Sequence, residues 1–406
     1  MTYIEFFDNN AIENICSCLV SAPDRVILIG ENEKKMQLHA QRYHSLFQKR
    51  GTNIEFTCMT VNKNHQQEKN RLQKIVDLLA DIVDKYEDEE CVFDLSGGDD
   101  LMLVAVGIIY YRYRDKNIQL SRINLRTGGL YDCDKDGVLI PREHDPMLKI
   151  DEYIRVFGGK VVYEREKVSK TRRWDWTEEF LEDIISMWQI CRENVHDWNT
   201  QMDTFAVTDI VPPSDIVNEL MEKRLITGDR LKNGFYLITY KNDQIKECLT
   251  TAGLVLELYI TVKARMARDG AGKRIYNDVC NGVVIDWDGV SYRKGGTYVT
   301  MNEIDVIMMH KLIPVFVSCK NGNVRMEELY KLNTVAERFG GKYAKKVLVA
   351  NALGGDTFSA SLFRQRAKDM GIRLIENVQD MTEEKVEKEI ENLWRKKYRI
   401  KKIPRL

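Results

Sequence analysis

Residues 302–322, NEIDVIMMHKLIPVFVSCKNG, set an acid, a hydroxyl and an amine at strand spacing. Two antiparallel strands turning near Lys311 would carry Asp305 on one and Ser318 and Lys320 on the other. Residues two apart share a face of a strand, so Ser318 and Lys320 point one way and Cys319 the other. Charges among Val306, Val315 and Val317 are costly to bury unless they pair or hold a cation, and the plain alternative is a structural Asp–Lys pair. Upstream, TAGLVLELYITVK places Glu257 alone in a mostly apolar helical stretch. If that helix packs on the hairpin, Glu257 and Asp305, with the Cys319 carbonyl, make an oxygen-only donor set suited to Mg²⁺ or Mn²⁺. Such a cation lowers the pKa of bound water and stabilises charge on a phosphoryl oxygen, while Lys320 orients the nucleophile or neutralises the transition state.

A second constellation is DLSGGDDLM, residues 94–102, at the carboxyl end of a predicted strand. Gly97 and Gly98 would let the backbone approach a ligand, and the following helix offers free N–H groups. Ser96 and Asp99 flank them. Gly30, Glu31 and Asn32 end another strand, and Arg126, Thr127 and Gly128 follow a third, so three loops line one rim of a sheet. The plain alternative is a pair of turn glycines with Ser96 as a helix cap.

These groups need elements to hold them. Residues 25–140 alternate RVILIG, a helix from about Glu33 to Lys49, IEFTCMTV, a helix from about Gln66 to Tyr86, CVFDLS, a helix through Leu101, Val104 and Ile108, and a strand INLRT. This predicts an α/β fold with an N-terminal, Rossmann-like doubly wound sheet over residues 1–145. Residues 146–247 read as a helical connector. Within it SDIVNELMEKRLITGDRLKNGFYLITY outlines a winged helix, with a turn at Gly228 and a hairpin around Asn233 and Gly234. Residues 248–406 run α-β-β-β-α-β, followed by a final αβ pair.

The 406 residues carry 61 Lys and Arg against 62 Asp and Glu, so any polyanion must be met by local patches such as Lys273, Arg293 and Lys294. The basic tract from Lys396 to Arg405 reads as a solvated tail. The nine cysteines and six histidines form no metal-ligand spacing. No apolar run reaches the ~18 residues of a membrane span, which points to a cytoplasmic protein with no membrane partner. Gly30 is followed by ENEKK, not by a GxGxxG string, which argues against a dinucleotide-dependent oxidoreductase.

The order of helix with Glu257, strand with Asp305, strand with Ser318-Cys319-Lys320, then helix and strand resembles the PD-(D/E)xK, restriction-endonuclease-like core over residues 248–376. The string Gly253-x-x-Leu256-Glu257, followed by NEIDV and SCKNG, carries that resemblance. Ser318 stands where the superfamily usually has a second acid, for which Glu303 or a main-chain carbonyl would substitute. Together with the SGG loop, the whole chain resembles the type III CRISPR ancillary nucleases that join a CARF sensor to such an effector. The resemblance implies a homodimer that binds a cyclic oligoadenylate, most often cyclic tetra-adenylate, across its two-fold axis. It also implies a metal-dependent endonuclease acting on single-stranded RNA, DNA or both in antiviral defence, with Glu257, Asp305, Ser318 and Lys320 catalytic. Asp99 and Asp100 stand where family members often carry a basic or hydroxyl residue, and are expected to turn from the phosphates or bind ribose hydroxyls. The alternative is a nucleotide-sensing transcriptional regulator with an inactive nuclease-like domain.

Overall fold

A computed structural model describes residues 1–61, 70–163, 171–289, 301–353 and 357–395. The N-terminal sheet has seven strands: β1 (Thr2–Phe6), β2 (Arg25–Gly30), β3 (Glu55–Thr60), β4 (Cys91–Asp94), β5 (Ile118–Asn124), β6 (Gly129–Cys133) and β7 (Leu139–Pro141). Their spatial order is β3-β2-β1-β4-β5-β6-β7, parallel from β3 to β5 and antiparallel beyond. The expected first strand, RVILIG, is therefore the second. TYIEF precedes it at the centre of the sheet, fully buried despite Glu5. The strand order reverses direction between β1 and β4, which is where a doubly wound sheet opens a crevice at its carboxyl edge.

Helices cover both faces of this sheet. After the short α1 (Cys18–Ser21), α2 (Glu33–Lys49) buries Met36, Ala40 and Tyr43 on one side, while α3 (Arg71–Lys85) and α4 (Asp100–Arg112) pack with Ile4, Ile27 and Phe93 on the other. The expected helix start near Gln66 lies outside the described residues. The expected strand INLRT ends earlier than read: Gly128 N–H closes back on Asn124 O at 2.7 Å, which turns the chain before Gly129 opens β6.

Next come α5 (Ile150–Val156) and β8 (Lys160–Val161), then α6 (Glu178–Glu193), α7 (Val195–Phe205), β9 (Ile210–Val211), α8 (Asp215–Glu222), β10 (Ile226–Arg230), β11 (Tyr236–Tyr240) and α9 (Asp243–Thr250). The hairpin β10–β11 forms around Gly234, whose φ of +85° suits the turn, and β9 adds a third strand. Gly228 lies inside β10 instead of at a turn; the chain reverses after α8 at Arg224, which has φ +57°.

The last unit runs α10 (Leu254–Met266), β12 (Asp278–Asp286), β13 (Met301–His310), β14 (Ile313–Asn323), α11 (Met326–Phe339), β15 (Lys345–Ala352), α12 (Thr357–Asp369), β16 (Ile372–Glu376) and α13 (Glu383–Glu391). This is the expected α-β-β-β-α-β order. The sheet, β16-β15-β14-β13-β12-β8, recruits its edge strand from residues 160–161, so the third unit draws on chain assigned from sequence to the connector. Nor is the cut at residue 145 a break in packing: one core runs from Tyr43 and Phe47 through Ile150 and Ile154 of α5 to Ile307, Phe316 and Phe339. All nine cysteines are unbridged thiols, and among the described residues no helix is long and apolar enough to cross a membrane.

Candidate active site and ligand-binding rim

The ladder between β13 and β14 runs from His310↔Ile313 to Val306↔Val317. At the next position a side chain takes over. Asp305 Oδ2 accepts the Cys319 main-chain N–H at 2.7 Å, the Ser318 hydroxyl at 3.1 Å and the Lys320 ammonium at 3.1 Å. The expected alternation holds: Ser318 and Lys320 converge on Asp305, while the Cys319 side chain enters the core beneath α10. Burial holds the Cys319 thiol well above its usual range, so any part it plays at a cation is through its carbonyl.

α10 crosses this face and brings Glu257 to the same place. Asn281 of β12, almost fully buried, donates one amide nitrogen to Glu257 Oε2 at 3.2 Å and to the Asp305 main-chain oxygen at 3.0 Å. Its own oxygen accepts the Trp174 indole N–H at 3.1 Å, which fixes the amide's orientation. Burial, then the charge of Asp305, pushes the Glu257 carboxyl up to about 8, against the opposing pull of Arg172, Asn281 and Lys320. Burial works to lower Lys320, but the Asp305 carboxylate, helped by Glu328, outweighs it and holds the ammonium charged.

Asn281 ties the Glu257 carboxyl to the Asp305 main chain, and two carboxyl groups that repel when both ionise are an arrangement that a hard divalent cation relieves. The donors are all oxygen, the three described donors to Asp305 crowd one oxygen only, and Glu257 stays protonated near neutral pH for want of a compensating charge. Glu257 and Asp305 thus offer oxygen donors of the kind such an ion takes. Among the described residues no group of three or more His, Cys, Asp or Glu side chains comes together to hold a metal.

Glu303, the expected substitute for the missing acid, is half exposed and faces Arg172 Nη1 at 3.7 Å. A second acid beside Lys320, after Asp305, is Glu328 on the first turn of α11, at 3.5 Å. Asn281, Trp174, Arg172 and Glu328 escaped the sequence reading. Lys273 is exposed as expected; Arg293, Lys294 and the tract from Lys396 lie outside the described residues.

At the N-terminal rim the glycines serve a different neighbour from the one expected. A Cβ on Gly97 would meet Phe6 O at 2.5 Å, and on Gly98, at φ +90°, Phe6 Cβ at 2.8 Å. Their close approach is to β1. Ser96 is no helix cap: its hydroxyl accepts Ile123 N–H at 2.9 Å, tying β4 to β5. Asp99 is the cap, accepting Met102 N–H at 3.0 Å, and it pairs with Arg71, which also holds Glu31 at 3.1 Å. The Asp99 charge is therefore matched internally, while Asp100 is exposed. Asn32 caps α2 through Lys35 N–H, and Gly30 packs under Phe7 and Met36. Beneath the loop, Glu5 and Asp94 lie opposite each other on β1 and β4; burial pushes Asp94 up to about 7 and Glu5 well above its usual range. Arg126 and Thr127 remain exposed, while Gly128 packs on Lys311.

No protein-family model matches the chain, and no curated protein matches its sequence. Among solved structures it is similar to protein VC1899 from Vibrio cholerae, with TM-score 0.70 and 17% identity over 97% of this chain and 96% of that one. It is also similar to Can2 from Sulfobacillus thermosulfidooxidans, solved in complex with cyclic tetra-adenylate, with TM-score 0.64 and 16% identity over 97% and 99%. A type III CRISPR defence DNA nuclease activated by cyclic oligoadenylate aligns with 87% of this chain and 46% of its own length, at TM-score 0.51 and 15% identity. The chain shares its fold with these solved structures, and the resemblance read from the sequence holds at the level of the fold.

Proposed function

We propose that this protein is a cyclic-oligoadenylate-activated, metal-dependent nuclease of the PD-(D/E)xK type, working as a homodimer on single-stranded RNA or DNA in the cytoplasm. The observation that carries this reading is the meeting of Glu257, Asp305 and Lys320 where β13 and β14 part, with Asn281 joining the two acids. The shared fold with a cyclic tetra-adenylate-bound protein and an oligoadenylate-activated nuclease supports the activator and the reaction class.

Glu257, Asp305 and the Cys319 carbonyl would hold Mn²⁺ or Mg²⁺. When bound, such an ion supplies Lewis-acid stabilisation of phosphoryl charge and a more acidic water. The chain's own residues do the rest. Lys320, charged and held at Asp305, places an ammonium where negative charge develops on the phosphate. Ser318 and Cys319 N–H fix the Asp305 carboxylate in one orientation, and Asn281 holds Glu257 beside it. A homodimer is supported by α4, which is apolar all round and leaves Leu103, Val104 and Tyr111 exposed.

The test is cleavage of labelled single-stranded RNA and DNA with and without cyclic tetra-adenylate and Mn²⁺, using wild type, Asp305→Ala and Lys320→Ala. Ligand-dependent cleavage lost in both folded variants supports the proposal. Cleavage retained by folded Asp305→Ala refutes it.

A further inference from the structure

β14 and β15 run parallel, and their register passes from Lys320↔Ala350 to Asn323↔Ala352, so the rim that carries Lys320 is also where β15 ends. α12 begins at Thr357, just beyond that end, and runs back along the sheet to reach the start of β16, which is parallel to β15. Phe363 and Ala367 bury one side of α12 in the core that holds Leu348 and Ala350 of β15, which fixes the helix in place. Its outer side is unlike an ordinary solvated face. Phe358, in the first turn, is 74% exposed and Leu362 is 50% exposed; on α11, which leaves β14 at the same rim, Tyr330 is 45% exposed.

Phe358, Leu362 and Arg366 follow at i, i+4 and i+8, so they share one stripe that leads about 12 Å away from the rim at the helical rise. Arg366 and Lys368 are exposed toward its far end, while Arg364 is taken up by Glu376 at 2.7 Å. An exposed apolar stripe beside a catalytic strand marks a contact. A second copy of this chain is a poor occupant, because a two-fold contact presents the same patch twice and would set Arg366 and Lys368 near their own counterparts. A single nucleic-acid strand suits every part: an unpaired base stacks on an aromatic ring whatever its sequence, and the backbone phosphates meet the cations. A duplex keeps its bases stacked on one another and offers none to Phe358.

We propose that α12 is a guide for a single-stranded substrate, with Phe358 stacking on a base at the rim of the site and Arg366 binding a backbone phosphate further along the helix. The guide assigns the choice of an unpaired strand to a particular face of the protein. This inference rests on the nuclease reading above, and its test is built so that the two can fail separately.

The readout is binding, not cleavage. A fluorescein-labelled single-stranded oligonucleotide and an abasic strand of the same length are titrated by anisotropy in chelator, with cyclic tetra-adenylate present. Phe358→Ala should weaken the base-bearing strand about tenfold, the order of one lost base stack, and leave the abasic strand unchanged. Phe358→Trp should keep wild-type affinity for both. Arg366→Ala should weaken both strands alike and lower the slope of log affinity against log salt by about one. Unchanged affinity for the base-bearing strand in folded Phe358→Ala overturns the proposal, as does an equal loss on both strands. Sedimentation that shows a dimer broken by Phe358→Ala, with strand binding intact, also overturns it and gives the stripe to a second copy. A Phe358-dependent preference for bases in a protein that cleaves nothing when Mn²⁺ is added supports the guide and sinks the nuclease reading alone.

Discussion

Asn281 reaches Glu257 across the face of β12 and holds its carboxyl at 3.2 Å with the same nitrogen that binds the Asp305 carbonyl. Replacing Asn281 with Leu removes the one described hydrogen bond that favours ionised Glu257, so cation binding should weaken and the acid limb of the cleavage profile should move to higher pH. Asn281→Asp should cost about 3 kcal/mol at alkaline pH by burying a third carboxylate whose one described donor is the neutral Trp174 indole. A pH–rate profile unchanged in Asn281→Leu would reduce the residue to packing.

Glu257→Gln should be stabilising in the absence of metal, increasingly so with pH. With a folded pKa of about 8 against an ordinary value near 4.5, the folded state holds the proton that the unfolded chain releases. Wild-type stability therefore falls as pH rises between those values, and levels off above about 8. Glutamine has no proton to lose. Thermal melts of both proteins in chelator from pH 5 to 9 should show a gap that widens and then stays constant; a constant gap throughout would refute the raised pKa.

Cation binding at this site must release protons. Near neutral pH Glu257 is mostly protonated, so loading Mn²⁺ should expel about one proton per chain. Calorimetry in buffers of different ionisation enthalpy measures that number directly, and Glu257→Gln should abolish it.

At the N-terminal rim, Gly98→Ala is expected to act on the fold before it acts on any ligand. The new Cβ meets Phe6 at 2.8 Å and the backbone sits at φ +90°, so a loss of about 1–3 kcal/mol is expected. Arg126 is exposed and its side chain makes no described contact that the fold depends on. Arg126→Ala should leave the melting temperature unchanged while weakening cyclic tetra-adenylate by roughly tenfold, the order expected for losing one charge-assisted phosphate contact. Equal affinity in both proteins would remove this loop from the ligand site.

The exposed face of α4 gives the proposed homodimer a specific test. Val104→Glu places a charge on the exposed surface that also carries Leu103 and Tyr111, without disturbing the buried Met102, Ala105, Val106 and Ile109. Sedimentation should show a monomer with unchanged far-ultraviolet circular dichroism. A dimer that persists would locate the interface elsewhere.

Much of this site is written in local periodicity. The spacing of Ser318 and Lys320 puts both on one strand face, and the lone Glu257 in an apolar helix signals a partner before any partner is seen. Asn281 carries no comparable sign, because a neutral amide in a strand gains its meaning only from Trp174 and Glu257, 107 and 24 residues away. Glu328 reads as an ordinary first-turn acid until Lys320 is seen beside it. β1 is hard to read from sequence for a related reason: Glu5 interrupts its apolar run, and only a buried environment, which pushes that carboxyl well above its usual range, makes TYIEF a central strand. Gly97 and Gly98 did announce a close approach. What they could not announce was that Phe6 is what approaches.

The contact between Gly128 and Lys311 bears on modularity. Lys311 forms the tip of the β13–β14 hairpin that bears Asp305 and Lys320; it is anchored to Asp145 at 2.5 Å, and any Cβ at position 128 would come within 2.9 Å of its side chain. Neither position is free to drift without the other. A recombination that exchanged the first 145 residues for those of another protein would have to carry a compatible hairpin tip with it, so the two halves are inherited as one fitted joint and cannot be shuffled as separate parts.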